Sequence, residues 1–468
     1  MTTTTQPALA DTLADFSTGF KLDSTTARQA LLEKAKLHLL DGIGIALAAT
    51  TAEDGYSQAL MRMVRGYGST PQATVIGFGE RVAAPLAALA NGALIHGVEF
   101  DDVYYERTMH TEAFAVPATL AIAERERRPG LDLVEAWILA TEVALRLSCG
   151  CAREENLYDT GFHTSAIFGT FGAAAGAARL LSLDAEQTAN ALALCTSFAS
   201  GTAAGWDYGT GRNKSIQPGW AAMSGTNAAL LAAEGYACAH DTLEARNGLY
   251  FAHAWRDGWT REGVLDGLGT TWKLLDLAFK VYPAGGMIQS ANDCTRELVL
   301  EHDIRPEEVE RVEVVVPSQF RDVLAGLIAG SYRPSSGYTQ FSSWPCNVAR
   351  MILSRRVGLD HLTDEAVSDP ALLDLAAKVT CTASDDGSGA SADRLTAVAI
   401  VTPRGRFETR RGKHSGHPGE ATRDAVVEKF LGNADLILPR EQGETIVDLV
   451  MRIEELDDTR ELASRLAP

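Results

Sequence analysis

Over the first 275 positions, apolar residues recur in long Ala- and Leu-rich runs, such as 26–49, 133–147 and 185–200, that leave almost no polar face. A helix that is apolar nearly all round has to be enclosed by other helices or by a second subunit. The pattern therefore predicts an all-helical domain over 1–275. The run from Gly169 to Gly176, mostly Gly and Ala, would let helix backbones approach closely. So much small-residue helix surface also predicts a homodimer.

After residue 275 the period changes. Residues 311–317, RVEVVVP, alternate polar side chains with valine as a half-buried strand does. Residues 395–410 read as two strands about a turn at Pro403, Arg404 and Gly405. Helical patterns at 348–355 and 364–378 lie between them, so 276–411 is predicted to be a small α+β domain, with 384–391 a flexible loop by composition. Helical patterns return at 423–430 and 443–456, making 412–468 a tail that packs back on the first domain. The predicted fold class is mainly α with an α+β part, and the cleft between two domains is a favoured place for a ligand.

A chain of 468 residues is long enough for two cores, and 46% hydrophobic with 22% charged residues is an ordinary globular balance. The net charge of -19 changes the picture more. An acidic surface repels nucleic acid and anionic lipid, so neither is expected as a partner, while a local cluster of Lys, Arg and His can still hold a small anion. Seven cysteines occur without a CxxC pair, as expected in a reducing compartment; Cys149 and Cys151 read as buried small hydrophobes. The opening MTTTTQPALADTLADF carries neither the basic nor the apolar part of a secretory signal, and residues 165–181 are broken by Arg179. The expectation is a cytoplasmic protein with no membrane span.

Four polar constellations interrupt this apolar background. The densest runs from His96 through Glu99, Asp101 and Asp102 to Tyr104, Tyr105, Glu106, Arg107 and His110. Its carboxylates repel one another, so they must cap helices, pair with Arg107 or His110, or belong to a catalytic site; spacing alone leaves capping and catalysis even. His163, just before the Gly/Ala-rich run, would feel the positive end of a helix, which favours neutral imidazole and hence a base, while a histidine standing alone is more often structural. Residues 209–219 place Arg212 and Lys214 on a glycine-flanked loop without the adjacent Gly-Lys of a nucleotide-binding loop, so they are read as carboxylate binders or as solvated loop residues. Lys280 lies at the domain boundary, either closing over an anion or serving as a linker lysine. His414 and His417 have a spacing that could clamp a metal, but no further ligands stand beside them, so no metal is expected.

Taken in order, these segments resemble the 2-methylcitrate dehydratase family, also called MmgE/PrpD, which includes cis-aconitate decarboxylase and iminodisuccinate epimerase. The resemblance covers nearly the whole chain. It is carried by Asn91-Gly92 with the His96 to Asp102 stretch, His110 leading to Pro117, the run from Gly161 to Asp184, Lys214 with Pro218-Gly219, and FKVYP from Phe279. It implies a large helical domain with a smaller lid domain, a homodimer, no metal or organic cofactor, and a site in the cleft for a small anionic carboxylate. It also implies His110 and His163 for proton transfer, with Asp101 and Asp102 orienting the site. Lys214 and Lys280 would hold substrate carboxylates.

The chain departs from the family pattern at Glu99, where Asp is usual, and at Val103, where Thr is usual. Thr111 and Thr164 follow the two histidines where Pro is usual, and Cys346 is expected to replace a site tyrosine, so Glu99, Arg107, Arg212 and Cys346 join the candidate substrate contacts. The expected chemistry is proton transfer at a carbon alpha to a carboxylate. Dehydration of a hydroxy-polycarboxylate leads, ahead of epimerisation and decarboxylation. The rival from another class is a silent ligand-binding homologue, which Val103 and Cys346 favour.

Overall fold

The computed structural model describes residues 6–151, 161–204, 212–253, 258–321, 324, 333–384 and 395–468. Its first domain is built from α1 (Leu9–Gly19), α2 (Arg28–Ala49), α3 (Tyr56–Gly66), α4 (Ala84–His96), α5 (Glu112–Glu126), α6 (Gly130–Cys149), α7 (Thr164–Leu180), α8 (Ala185–Cys195) and α9 (Asn213–Ala233). The fold class is mainly α with an α+β part, as the apolar pattern predicts. Among the described residues, no helix is long and apolar enough to cross a membrane.

The all-round apolar runs are helices enclosed on every side. From Leu39 to Ala49 every residue of α2 is buried, and the polar side chains of His38 and Asp41 meet Glu112 and Lys429 rather than water. Burial of this kind contributes about 25 cal/mol per Å² of apolar surface, which makes the helical core the main source of stability.

Glycines on these helices allow close approach to neighbours inside the chain. A Cβ on Gly92 of α4 would lie 2.6 Å from the Cα of Gly219 on α9, and one on Gly169 of α7 would lie 2.6 Å from the Phe114 ring on α5. These close approaches draw α4, α5, α7 and α9 into one bundle, the bundle that carries the histidines described below. The small-residue faces are thus filled by neighbouring helices of the same chain.

The C-terminal helices pack on the helical core. Helix Arg423–Ala434 lies along α2, with Phe430 fully buried and 2.8 Å from where a Cβ on Gly44 would stand. Helix Arg440–Met451 follows, and Leu449, Val450 and Ile453 join the same core.

A separate hydrophobic core runs from Tyr282 to Ile400. Besides the small hairpin β1 (Ala73–Thr74) and β2 (Arg81–Val82), the strands are β3 (Arg311–Val316), β4 (Val379–Ala383), β5 (Thr396–Thr402) and β6 (Gly405–Arg411). They form a sheet of order β4-β3-β5-β6, in which β3 pairs parallel with β4 and antiparallel with β5. Helices Gln289–Glu301 and Trp344–Ser354 cover it. The expected helix at 364–378 is two, Asp364–Val367 and Pro370–Ala376, because Pro370 cannot continue the first and opens the second. Most of the expected loop at 384–391, from 385 onward, lies outside the described residues.

Where the two cores meet, backbone hydrogen bonds set the register. Val103 N–H donates to Ala278 O at 2.8 Å and Ala278 N–H donates back to Val103 O at 2.9 Å. This two-way bridge lays the segment carrying Lys280 alongside the segment carrying Asp101 and Asp102. Phe279 N–H donates to Gly416 O at 2.9 Å, which ties the same hinge to the returning tail.

Candidate active site

The chain leaves α4 at His96, turns through Glu99 in the left-handed region at φ 54°, and re-enters helix at Glu112. A left-handed non-glycine residue costs about 1–3 kcal/mol, a strain typical of functional turns. Here it aims the Glu99 carboxylate inward, where it is 1% exposed. His163 stands at the N-terminus of α7, and Lys214 sits in the first turn of α9. Lys280 comes from the hinge.

These side chains meet. Glu99 accepts from Lys214 Nζ through Oε1 at 2.5 Å and from Lys280 Nζ through Oε2 at 3.4 Å. Lys280 also donates to Asp101 Oδ1 at 3.2 Å. The ring centroid of His96 is 5.0 Å from that of His110 and 5.5 Å from that of His163, and those two are 6.5 Å apart. Every member is buried. Two ammonium groups and two carboxylates thus balance at the centre of three imidazoles.

The partners assign the tautomers. An ammonium only donates, so Lys214 donates to His96 Nε2 at 2.8 Å, and His96 Nδ1–H donates to Asp101 Oδ2 at 2.6 Å. The Asp102 carbonyl only accepts, so His110 carries its proton on Nδ1, 2.6 Å away. Gln217 Nε2 donates to Thr202 O at 2.8 Å, which orients its Oε1 to accept from His163 Nδ1–H at 2.7 Å. His110 and His163 therefore both keep the lone pair on Nε2.

Electrostatics hold these states. Burial, the largest influence, pushes His110 and His163 well below the ordinary imidazole range, assisted by Lys280 at His110 and by His96 at His163. Burial also pushes Glu99 and Asp101 upward, but their neighbours outweigh it, Lys214 and Lys280 at Glu99, the His96 N–H and Lys280 at Asp101. Both carboxyls end below their ordinary values. Burial lowers Lys214, with Glu99 resisting, whereas Asp101 and Glu99 outweigh burial at Lys280 and raise it. The site at neutral pH is two neutral bases beside two ammonium groups.

Asp102 stands behind this ring. Its carboxylate accepts from Thr111 Oγ1 at 2.5 Å and from Glu112 N–H at 3.0 Å, so it caps the entry to α5 while its carbonyl fixes His110. His38 Nδ1 and Glu112 Oε1 are 2.5 Å apart, and Lys429 Nζ donates to Asp41 Oδ2 at 2.8 Å and to the carbonyls of Phe100 and Lys280 at 2.8 Å and 2.9 Å. This layer anchors the hinge lysine's backbone. Burial raises Asp102 to about 7 and Asp41 to about 6, with Asp101 adding at Asp102.

Several expected placements change. Lys214 is on a helix, not a loop: α9 runs on through Pro218, held by packing in which Gly219 lets the helix lie against α4. Residues 209–211 of the expected loop lie outside the described residues. Arg212 holds Asp54 through Nε at 2.6 Å and donates to Gly97 O, at the rim. Arg107 stands 3.8 Å from Glu106, toward Cys149 and Cys151. Cys346 is fully buried in the core of the second domain, where its N–H donates to Ser343 Oγ at 3.1 Å and burial raises its thiol to about 11. Ser343 caps helix Trp344–Ser354, and Cys346 packs from that helix into the second core. Tyr338 instead reaches Glu99 Oε1, at 3.3 Å.

His96, Gln217, Tyr338, His38 and Glu112 were not among the expected site residues. Lys214 and Gln217 are three apart on one helix face, a signal hidden by reading 209–219 as a loop.

His414 is bound up at the hinge. The Tyr105 hydroxyl donates to Gly286 O at 2.9 Å, so it accepts from His414 Nε2–H at 2.7 Å, while His414 Nδ1 accepts from Gly416 N–H at 3.1 Å. Ligand atoms of His96, Asp101 and His110, and of His38, Asp102 and Glu112, lie within 4.8 Å of one another. In the first group Lys280 and Lys214 already occupy lone pairs of Asp101 and His96, so two cations stand where a metal would need to bind.

Two family models account for most of the chain, the MmgE/PrpD N-terminal domain over residues 11–261 and the MmgE/PrpD C-terminal domain over 282–455. The chain is 26% identical over 462 residues to cis-aconitate decarboxylase of Aspergillus terreus, covering 93% of this chain and 91% of the relative. It is 26% identical over 477 residues to the human cis-aconitate decarboxylase, covering 98% and 94%, and 24% identical over 467 residues to that of Mus musculus, covering 96% and 92%. With both domain models matched in order and along nearly its whole length, the chain belongs to the MmgE/PrpD family.

Proposed function

We propose that the chain is a lyase acting on a small polycarboxylic acid, moving a proton at a carbon next to a carboxylate. The observation that carries this is the pair of neutral imidazoles, His110 and His163, set around two buried ammonium groups, Lys214 and Lys280. A carbon acid alpha to a carboxylate is far too weak to ionise in water. Ammonium groups in a dry site stabilise the enolate character that develops on that carboxylate. A neutral imidazole, its basicity raised by the arriving anion, then takes or returns the proton at Nε2.

The imidazolium of His110 would lie 4.0 Å from Asp101 Oδ1 with Lys280 opposing it, and that of His163 would rest on the neutral Gln217, so both imidazoles are assigned to proton transfer. Glu99 stands where a substrate carboxylate would bind, bridging both lysines. A substrate displaces it or shares its donors. The scheme uses side chains alone and calls for no cofactor.

The full-length likeness to cis-aconitate decarboxylases makes cis-aconitate the first substrate to test; there the carbon–carbon bond breaks, carbon dioxide leaves, and a proton is added to carbon. In dehydration of 2-methylcitrate or citrate, the base removes the α-proton and the β-hydroxyl leaves as water. Assays of carbon dioxide release and of alkene formation across these acids test the proposal. Turnover of at least one is expected, and no turnover of any overturns it. Two imidazoles also suit epimerisation of a dicarboxylate, the second reading, in which the neutral one removes a proton at Nε2 and the other, protonated at Nε2 once the substrate anion is bound, delivers its own proton on the opposite face. We further propose a cytoplasmic homodimer.

A further inference from the structure

Tyr338 lines an open cavity of about 640 Å³ to which both domains contribute, Gly97, Phe100 and Asn433 on one side and Arg356 and Leu359 on the other, and its hydroxyl reaches the buried cluster. It begins the 3-10 turn Tyr338–Ser342 in the second domain, so it moves with that domain rather than with the helices that carry the histidines. Its hydroxyl lies 3.3 Å from Glu99 Oε1, the same oxygen that holds Lys214 Nζ at 2.5 Å.

Its ring is fixed from the helical domain. The Arg212 guanidinium lies 4.0 Å from the Tyr338 ring centroid and 4.1 Å from that of Tyr56, a cation held between two aromatic faces. Arg212 is itself locked by Asp54 and by the Gly97 carbonyl. Its N–H groups are committed there, which makes it a positioning residue for Tyr338 rather than a fork for substrate. Burial, followed by the charge of Glu99, raises the Tyr338 phenol well above its ordinary range, so it stays a donor.

We infer that Tyr338 is the specificity residue through which the second domain touches the bound polycarboxylate, donating its hydroxyl to the carboxylate that Lys214 carries. The inference rests on the polycarboxylate lyase reading above. When a substrate carboxylate takes over the Glu99 Oε1 position, the hydroxyl keeps an acceptor in the same place. A substrate with a shorter or missing arm leaves the hydroxyl on Glu99 and gains nothing from it, so the contact favours acids that reach this position. Because the ring is clamped by Arg212, the contact is made only when the two domains are closed over the cleft.

The test is steady-state kinetics of the wild type and Tyr338→Phe on whichever polycarboxylate the wild type turns over, with melting temperatures alongside. Tyr338→Phe keeps the ring against Arg212 and removes only the hydroxyl. A rise in KM of about tenfold or more is expected, with kcat within about threefold and the melting temperature unchanged. KM within about twofold of wild type, or a loss confined to kcat, overturns the inference while leaving the lyase reading intact. A wild type that neither turns over nor binds any polycarboxylate overturns that reading, and the inference with it.

Discussion

Lys214 Nζ lies 2.8 Å from His96 Nε2 and 2.5 Å from Glu99 Oε1, so one ammonium joins an imidazole that is not itself a proposed base to the carboxylate that bridges both lysines. His96 thereby fixes the lysine while passing its own Nδ1–H to Asp101. Replacing His96 by Gln, which keeps one acceptor but not the paired geometry, is expected to raise KM for a polycarboxylate by about tenfold, read by steady-state kinetics. An unchanged KM would separate Lys214 from substrate binding.

His163 and His110 carry the chemistry in this account. His163→Ala and His110→Ala are each expected to lower kcat by about a hundredfold or more, with far-ultraviolet circular dichroism unchanged. Activity within a few-fold of wild type would remove the residue from the mechanism.

The four charges at the centre balance, so a polyanion arriving there brings net negative charge into a buried space. Its field raises the pKa of His110 and His163, which burial keeps neutral in the empty site. Binding is therefore expected to take up protons near neutral pH, measured by titration calorimetry in two buffers of different ionisation enthalpy. Binding with no proton uptake contradicts this.

Asp102 supplies a stability prediction with a definite sign. Its folded pKa, raised to about 7, lies above the unfolded value of 3.8, so the charged form is disfavoured in the fold. The penalty is complete above about pH 7 and is relieved as pH falls toward the unfolded value, at a slope approaching about 1.4 kcal/mol per pH unit. Asp102→Asn lacks this contribution. Relative to the variant, wild type is expected to gain stability between about pH 8 and pH 5 in denaturant titrations; a constant difference would show that Asp102 titrates normally.

Cys346 belongs to the core of the second domain. Cys346→Ala is expected to lower stability by about 1 kcal/mol and to leave kcat/KM within about twofold. A change in substrate preference would return it to the cleft.

Much of this was legible in the sequence for a physical reason. Periodicity reports which side of an element is enclosed, and it located α2, α6, β3 and the β5–β6 hairpin near their observed places. β4 was missed because five residues, VTCTA, are too few to show a period and owe their state to pairing with β3. Glu99, His110, His163, Lys214 and Lys280 were singled out as rare polar groups in apolar surroundings, and they converge. What local sequence could not show was depth. Asp102 and Asp101 are adjacent, yet one faces the lysines while the other caps α5, and Tyr338, with no signal in its own segment, reaches Glu99 only because the second domain closes over the first.

The central claim is that a proton moves between carbon and this buried cluster. Nuclear magnetic resonance of a substrate–product mixture brought to equilibrium in deuterium oxide reads it directly, first with cis-aconitate and then with 2-methylcitrate. The account predicts one deuterium bound to the carbon next to a carboxylate with wild type, and none with His163→Ala. Turnover by wild type with no carbon-bound deuterium in either partner would contradict it.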